Sequence, residues 1–293
     1  MPSRRWGTSS ASSEAVSSIA DCAWRNLGGD GPPLVFTHAN GFPPETYRVL
    51  LEALEETFRV STFAHRPLWS DDDPAELESW HPMAGDLVAA LRDRGGPPVT
   101  AVGHSLGGVL CALAAARAPE LFAALVLLDP VIFTGLRSFV WGWTKRLGQD
   151  HRFFLAKGAA RRRDRWPDRQ SHRESWSGKP VFSSWDPRVV EDYVEAGVVD
   201  DPDGGVRLRY PKAWETRIFR VCPHDEWPRL KTIETPALVI RGETSDTLLP
   251  AAARRMEREM PDATVIELRG TSHFLPMEQP EEVARLIAAF ASG

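Results

Sequence analysis

Residues 99–108 read Val-Thr-Ala-Val-Gly-His-Ser-Leu-Gly-Gly, an apolar, strand-like run that breaks into Gly103-His104-Ser105-Leu106-Gly107. Directly behind it, Val-Leu-Cys-Ala-Leu-Ala-Ala-Ala-Arg at 109–117 has the composition of a helix. A serine on a sharp strand-to-helix turn is held in a strained backbone conformation, and the neighbouring turns must pass very close to one another. Only residues without a Cβ fit two places before and two places after it, where Gly103 and Gly107 stand. The turn projects the hydroxyl off the sheet and leaves the Leu106 amide free at a helix N-terminus, ready to donate to an anionic oxygen. Gly-x-Ser-x-Gly is also common in ordinary loops. The strand before it and the helix after it set this instance apart.

A serine hydroxyl is a poor nucleophile until an imidazole accepts its proton, and the imidazole needs a carboxylate to hold its tautomer. His273 lies in Gly-Thr-Ser-His-Phe-Leu-Pro-Met-Glu-Gln-Pro at 270–280, after a strand pattern at 263–268 and before an amphipathic helix pattern at 281–290. Asp246 closes Pro-Ala-Leu-Val-Ile-Arg-Gly-Glu-Thr-Ser-Asp at 236–246, another buried-strand pattern that ends in a glycine turn. Ser105, Asp246 and His273 therefore follow the order nucleophile, acid, base. Asp129, at the end of Ala-Leu-Val-Leu-Leu-Asp at 124–129, is the rival acid. Its plainer role is to cap the turn begun by Asp129-Pro130.

On these motifs the chain resembles the α/β-hydrolase superfamily over about residues 20–293. The resemblance implies an α/β fold: a mostly parallel twisted sheet with helices on both faces, and a mainly helical cap inserted after the strand ending at Asp129. A fourth match, Leu-Val-Phe-Thr-His-Ala-Asn-Gly-Phe-Pro at 34–43, resembles the His-Gly loop that gives this family its second oxyanion-hole amide. The chain departs from the common form by reading His38-Ala39-Asn40-Gly41-Phe42. Counting from the histidine points to the Asn40 amide and anchoring on the glycine points to Phe42. Asn40 is preferred, paired with Leu106. The expected division is an N-terminal arm at 1–18, a hydrolase core at 19–130 and 231–293, and a cap at 131–230.

At 293 residues the chain suits one large α/β unit. Three scattered cysteines, Cys22, Cys111 and Cys222, argue against a disulfide framework and for a reducing, cytoplasmic compartment. Residues 1–18 are Ser-rich without an apolar core run, so they read as a disordered arm rather than a secretory signal. No apolar run reaches the ~18 residues of a membrane span. The expected strands are 20–27, 33–38 and 58–64, with helices at about 45–56, 83–94 and 106–117.

The stretch 131–230 differs in character from its flanks. It holds seven of the eleven tryptophans, and 19 basic against 14 acidic residues give it a net charge of +5. The remainder, with 16 basic and 26 acidic residues, is net −10. An aromatic cap would bury the organic body of a substrate and exclude water. Its charge suits a carboxylate or an acidic acyl carrier. A solvated helix face is the plainer reading of Arg-Arg-Arg-Asp-Arg at 161–165.

Other signals fail. His81 and Asp86 imitate an acyltransferase H-x4-D but sit at a helix start. Eight dispersed histidines show no zinc spacing, so neither metal nor cofactor is expected. Net charge −5 and no recognised motif speak against nucleic acid. His104 reads as a local packing or hydrogen-bonding residue. A serine at the elbow disfavours the dehalogenase and epoxide-hydrolase chemistries, which use a carboxylate there. The leading expectation is hydrolysis of a small or medium, largely apolar carboxylic ester. Thioesterase, lactonase and C–C hydrolase activities share the same constellation, and a ligand receptor on this fold is the non-enzymatic alternative. Oligomeric state is left open.

Overall fold

The chain is described by a computed structural model covering residues 18–176 and 178–291. The expected arm at 1–18 lies outside these residues apart from Ser18. Ten strands are found among them: β1 (Trp24–Gly28), β2 (Pro33–Thr37), β3 (Arg59–Phe63), β4 (Val99–His104), β5 (Phe122–Leu128), β6 (Arg165–Trp166), β7 (Val198–Asp200), β8 (Val206–Leu208), β9 (Ala237–Gly242) and β10 (Ala263–Leu268). Seven form one sheet in the order β1-β3-β2-β4-β5-β9-β10. All neighbours in it run parallel except the edge pair β1 and β3.

The strand sequences explain the burial. A parallel sheet covered on both faces needs apolar residues on both, so its central strands read as continuous apolar runs. Side chains alternate between faces. Val35, Ala101, Leu125, Leu127 and Val239 pack with helices His81–Arg94 and Leu106–Arg117 on one side. Leu34, Phe36, Val102, Val126, Leu128, Leu238 and Ile240 pack with helices Arg48–Leu54 and Pro280–Ala291 on the other.

The chain leaves β2 for β3 on one side and then returns to β4 on the other, which makes the β2/β4 boundary a topological switch point. Loops leaving adjacent strands diverge there and open a crevice at the carboxyl ends. The 38–42 turn follows β2 and Ser105 follows β4.

One expectation changes. The strand expected over 20–27 starts late, because Ser18 and Asp21 form a reciprocal capping box that starts a short helix, Ile19–Ala23. The insertion between β5 and β9 is mainly helical, with a few short strands beside the helices. Alongside helices Gly135–Arg146, Phe154–Arg161, Arg169–Trp176, Pro187–Ala196 and Lys212–Arg220 it holds a small antiparallel sheet, β6-β8-β7. Alternating residues of this sheet (Trp166, Val198, Val206 and Leu208) make a separate apolar cluster. The insertion is stitched to the core by polar contacts: Arg48 to Asp192 at 2.6 Å, Arg209 to Glu45 at 2.8 Å, and Trp80 Nε1 donating to the Ile218 carbonyl at 2.9 Å. Among the described residues, no helix is long and apolar enough to cross a membrane.

Candidate active site

Ser105 sits between β4 and its following helix with φ 55° and ψ −113°, in the left-handed half of backbone space that an L-residue enters only under constraint. The constraints are visible. The Ser105 amide donates to the Leu128 carbonyl of β5 at 2.9 Å. A Cβ on Gly103 would lie 2.4 Å from the Gly107 carbonyl carbon, and one on Gly107 would lie 2.3 Å from the Thr37 carbonyl oxygen. Both glycines of the motif are therefore required by close backbone approach.

His273 reaches the serine from the loop after β10. Its Nε2 is 3.0 Å from Ser105 Oγ, and its Nδ1 is 2.7 Å from an oxygen of Asp129. An ionised carboxylate only accepts, so Nδ1 carries the proton and Nε2 is left to accept from the hydroxyl. Ser105 is 7 % exposed and Asp129 0 %, so the hydroxyl is just reachable and the carboxylate is sealed.

The expectation that Asp246 is the carboxylate beside His273 is corrected: that place is held by the rival, Asp129. The loop after β9 turns its donors inward and its acid outward. Gly242 N donates to Asp129 Oδ1 at 3.0 Å, while Ser245 Oγ at 2.5 Å and Leu248 N at 3.4 Å donate to Oδ2. Buried Arg241 holds that loop by donating to the Leu248 carbonyl at 3.0 Å. Asp246 is exposed, and its backbone carbonyl accepts from Arg137 at 2.7 Å. Sequence does carry the distinguishing signal. Asp129 ends an apolar run without interruption, whereas Asp246 stands four residues past β9 among polar neighbours.

The turn after β2 distinguishes the two candidate amides. Phe42 N donates to the Ala39 carbonyl at 3.3 Å, and Gly41 takes φ 85°, the glycine position of a type II turn. The Phe42 amide is thus spent inside the turn. The Ala39 carbonyl is held by that bond and by His38 Nδ1 at 2.8 Å. Because the peptide is trans, the Asn40 N–H points the opposite way. The Asn40 side chain is engaged with the cap: Nδ2 donates to the Glu215 carbonyl at 3.0 Å and Oδ1 accepts from Tyr210 at 3.0 Å.

Above the turn the cap contributes rings. Phe42 lies 5.4 Å from Tyr193 and 5.9 Å from Phe274, and Trp185 lies 5.3 Å from Phe274, all between ring centroids. Phe274 is itself 5.3 Å from the His273 ring. The basic run at 161–165 is not uniformly solvated. Arg162 is inside, bonded to Glu215 at 3.0 Å and Tyr193 at 2.5 Å. Burial pushes the Glu215 carboxyl above its usual range, and Arg162 opposes that shift. His81 and Asp86 serve separate partners: His81 Nε2 lies 3.2 Å from a Glu226 oxygen, and Asp86 pairs with Arg66 at 2.5 Å.

His104, which reads in the sequence as a local packing or hydrogen-bonding residue, bonds two groups distant along the chain, the Tyr47 hydroxyl and the His273 carbonyl. Burial, with His273 nearby, holds its imidazole well below the ordinary range, so it is neutral. Burial likewise holds His38 down at about 4.

A family model described as the alpha/beta hydrolase family matches residues 34–286. A 2-(acetamidomethylene)succinate hydrolase of Mesorhizobium japonicum is 25 % identical over 89 % of this chain and 88 % of its own. A type I acyl-CoA thioesterase of Penicillium brevicompactum is 27 % identical over 55 % of this chain and 39 % of its own. The crystal structure of an E-2-(acetamidomethylene)succinate hydrolase superposes with a TM-score of 0.74 at 22 % identity, covering 92 % of this chain and 94 % of that one.

Proposed function

Because the chain belongs to the alpha/beta hydrolase family, we propose that it is a serine hydrolase cleaving carboxylic esters of small to medium, largely apolar substrates. Ser105 is the nucleophile, His273 the general base and Asp129 the acid that orients it. The observation that carries this reading is the continuous chain from hydroxyl to imidazole to sealed carboxylate, at 3.0 and 2.7 Å. His273 Nε2 takes the hydroxyl proton as Oγ attacks the ester carbonyl, then gives it to the departing alcohol. Water repeats the cycle on the acyl-enzyme and frees the acid. The amides of Asn40 and Leu106 receive the oxyanion, each donor contributing about 3 kcal/mol. The rings of Phe42, Trp185, Tyr193 and Phe274 pack on one another, and Phe274 lies against the His273 ring, an aromatic setting that supports an apolar substrate body.

A second reading, release of an acyl chain from a thioester, is favoured by the cap's net charge of +5, which suits an acidic carrier. The test is a panel of p-nitrophenyl esters, matched acyl thioesters and lactones beside Ser105→Ala, with fluorophosphonate labelling. Turnover of oxygen esters and labelling at Ser105, both lost in Ser105→Ala, are expected. Rapid turnover of thioesters with inert oxygen esters transfers the reading to the second activity. Absence of labelling at Ser105 defeats both.

A further inference from the structure

We propose that Tyr47 and His104 form a buried relay that locks the His273 loop and the Asn40 turn into one register, which makes His104 a positioning residue for the base. This rests on the functional reading above and adds to it two residues that touch no substrate.

The relay follows from three bonds and from which atoms have protons. The His273 carbonyl can only accept, so His104 Nε2, 2.9 Å away, must carry a proton. In a neutral ring Nδ1 is then bare, and the Tyr47 hydroxyl 2.8 Å from it must donate. That uses the only phenolic proton, and the oxygen accepts from the Ala39 amide at 3.1 Å. The order is Ala39 N–H to Tyr47 O–H to His104, and His104 Nε2–H to the His273 carbonyl. Every donor has one acceptor and the direction cannot reverse at any single link.

The two ends are informative. Ala39 immediately precedes Asn40, and its other face is pinned by the turn to Phe42. His273 is the proposed base itself. The relay thus joins the group that receives the oxyanion to the group that takes the proton, through a tyrosine 1 % exposed and a histidine 0 % exposed. The His104 ring also lies against the His273 ring, with centroids 5.0 Å apart and planes tilted by 37°. Such a link acts on the reaction only through geometry. Its loss moves the imbalance to kcat, because displacement of a reacting group by about 1 Å costs on the order of 100-fold while apolar substrate binding is untouched.

The test compares wild type, His104→Gln, His104→Asn and Tyr47→Phe for p-nitrophenyl acetate turnover, fluorophosphonate labelling rate and thermal midpoint. A glutamine amide reaches the position of imidazole Nε2 and keeps the donation to the His273 carbonyl. An asparagine amide reaches only the Nδ1 position and does not. His104→Asn is expected to lose about 10- to 100-fold in kcat with KM within about twofold, and His104→Gln to recover most of it. Tyr47→Phe is expected to lose kcat and labelling rate together. A folded His104→Asn with kcat within about twofold of wild type overturns the proposal, as does a glutamine variant no better than asparagine. Should His104→Asn not fold, a folded Tyr47→Phe with unchanged kcat overturns it instead. Ring-nitrogen NMR of wild type gives a readout independent of turnover: a His104 ring protonated at Nδ1 sinks the relay. Wild-type protein that neither labels nor turns over defeats the serine-hydrolase reading, and the tautomer then decides the relay alone.

Discussion

Exchange of each candidate carboxyl for its amide gives opposite outcomes at Asp129 and Asp246. In Asp129→Asn the remaining oxygen still accepts from Gly242 N, now at 3.0 Å in the native protein. The new NH2 replaces Oδ2, which receives Ser245 Oγ and the His273 ring. The serine hydroxyl can rotate and accept instead, so the fold loses about 1–3 kcal/mol, the cost of the weakened Leu248 and His273 contacts. The imidazole has no such freedom. An N–H facing it forces Nδ1 to become the acceptor and puts the proton on Nε2, aimed at Ser105. A base in that tautomer cannot accept, and kcat should fall by about 10⁴-fold, or about 5 kcal/mol of barrier. Asp246→Asn keeps the backbone carbonyl that Arg137 uses and loses only a 3.4 Å contact from the neighbouring Thr247 hydroxyl. Activity should stay within about twofold, as for most exposed substitutions. Initial rates on p-nitrophenyl acetate, with thermal midpoints to confirm folding, decide the matter. An inactive, folded Asp246→Asn beside an active Asp129→Asn would refute the reasoning.

Proline at position 40 removes the amide while fitting the second position of a type II turn. Asn40→Pro should therefore lose about 10²–10³-fold in kcat beyond the loss in Asn40→Ala, which sheds the same side-chain bonds; equal losses in the two variants would clear the amide of any role. Buried His38 is held at about 4 against an ordinary 6.5. A depressed histidine stabilises the fold above its unfolded value, and that contribution drains as pH falls from about 6.5 to 4, reaching about 3 kcal/mol. His65 and His104 add in the same direction, whereas Asp192, raised to about 6 chiefly by burial, gains stability on acidification and offsets part of it. Urea midpoints at pH 7 and pH 4.5 should show a net loss, and a flat profile would contradict it. Gly242→Ala would place a Cβ 2.0 Å from the Ser272 carbonyl oxygen, beside the base. Its kcat should fall by at least about 10-fold with the displaced loop, and an alanine variant of native activity would show that the loop yields freely.

The fold and the elbow were legible because both depend on local rules. Continuous apolar runs mark strands covered on two faces, and Gly103 and Gly107 mark a turn with no room for a Cβ. Ser105 follows from that pattern because it stands directly at the end of β4, and His273 because it lies in the loop that follows β10. The carboxylate beside His273 was less legible. Both aspartates follow a strand, and although Asp129 directly ends its apolar run while Asp246 stands four residues past β9, only the folded β9 loop, with Arg241 gripping the Leu248 carbonyl, shows that its donors face inward and Asp246 outward. The relay was hidden for a similar reason. Tyr47 and His104 are 57 residues apart, Tyr47 lies in no motif, and His104 fills an unspecified place of Gly-x-Ser-x-Gly. The three-stranded sheet of the cap escaped notice because strands of two or three residues are too short for alternation to register.

Sheet order also explains why the His273 loop needs so much support. Ser105 and Asp129 leave adjacent strands, β4 and β5, about 4.8 Å apart, so their proximity is a property of the sheet. His273 leaves β10, and β9 stands between β10 and β5. Its loop must cross the end of β9 to reach the serine. Gly242, the last residue of β9, gives it room to pass, and the Thr271 carbonyl accepts from Thr244 N at 2.9 Å during the crossing. Ser272 is tied back to Glu278 at 2.7 Å, and the His273 carbonyl ends on His104. A side chain delivered from β10, three places along the sheet from β4, has no rigid element to fix it, and these bonds do the work that strand adjacency does for the other two.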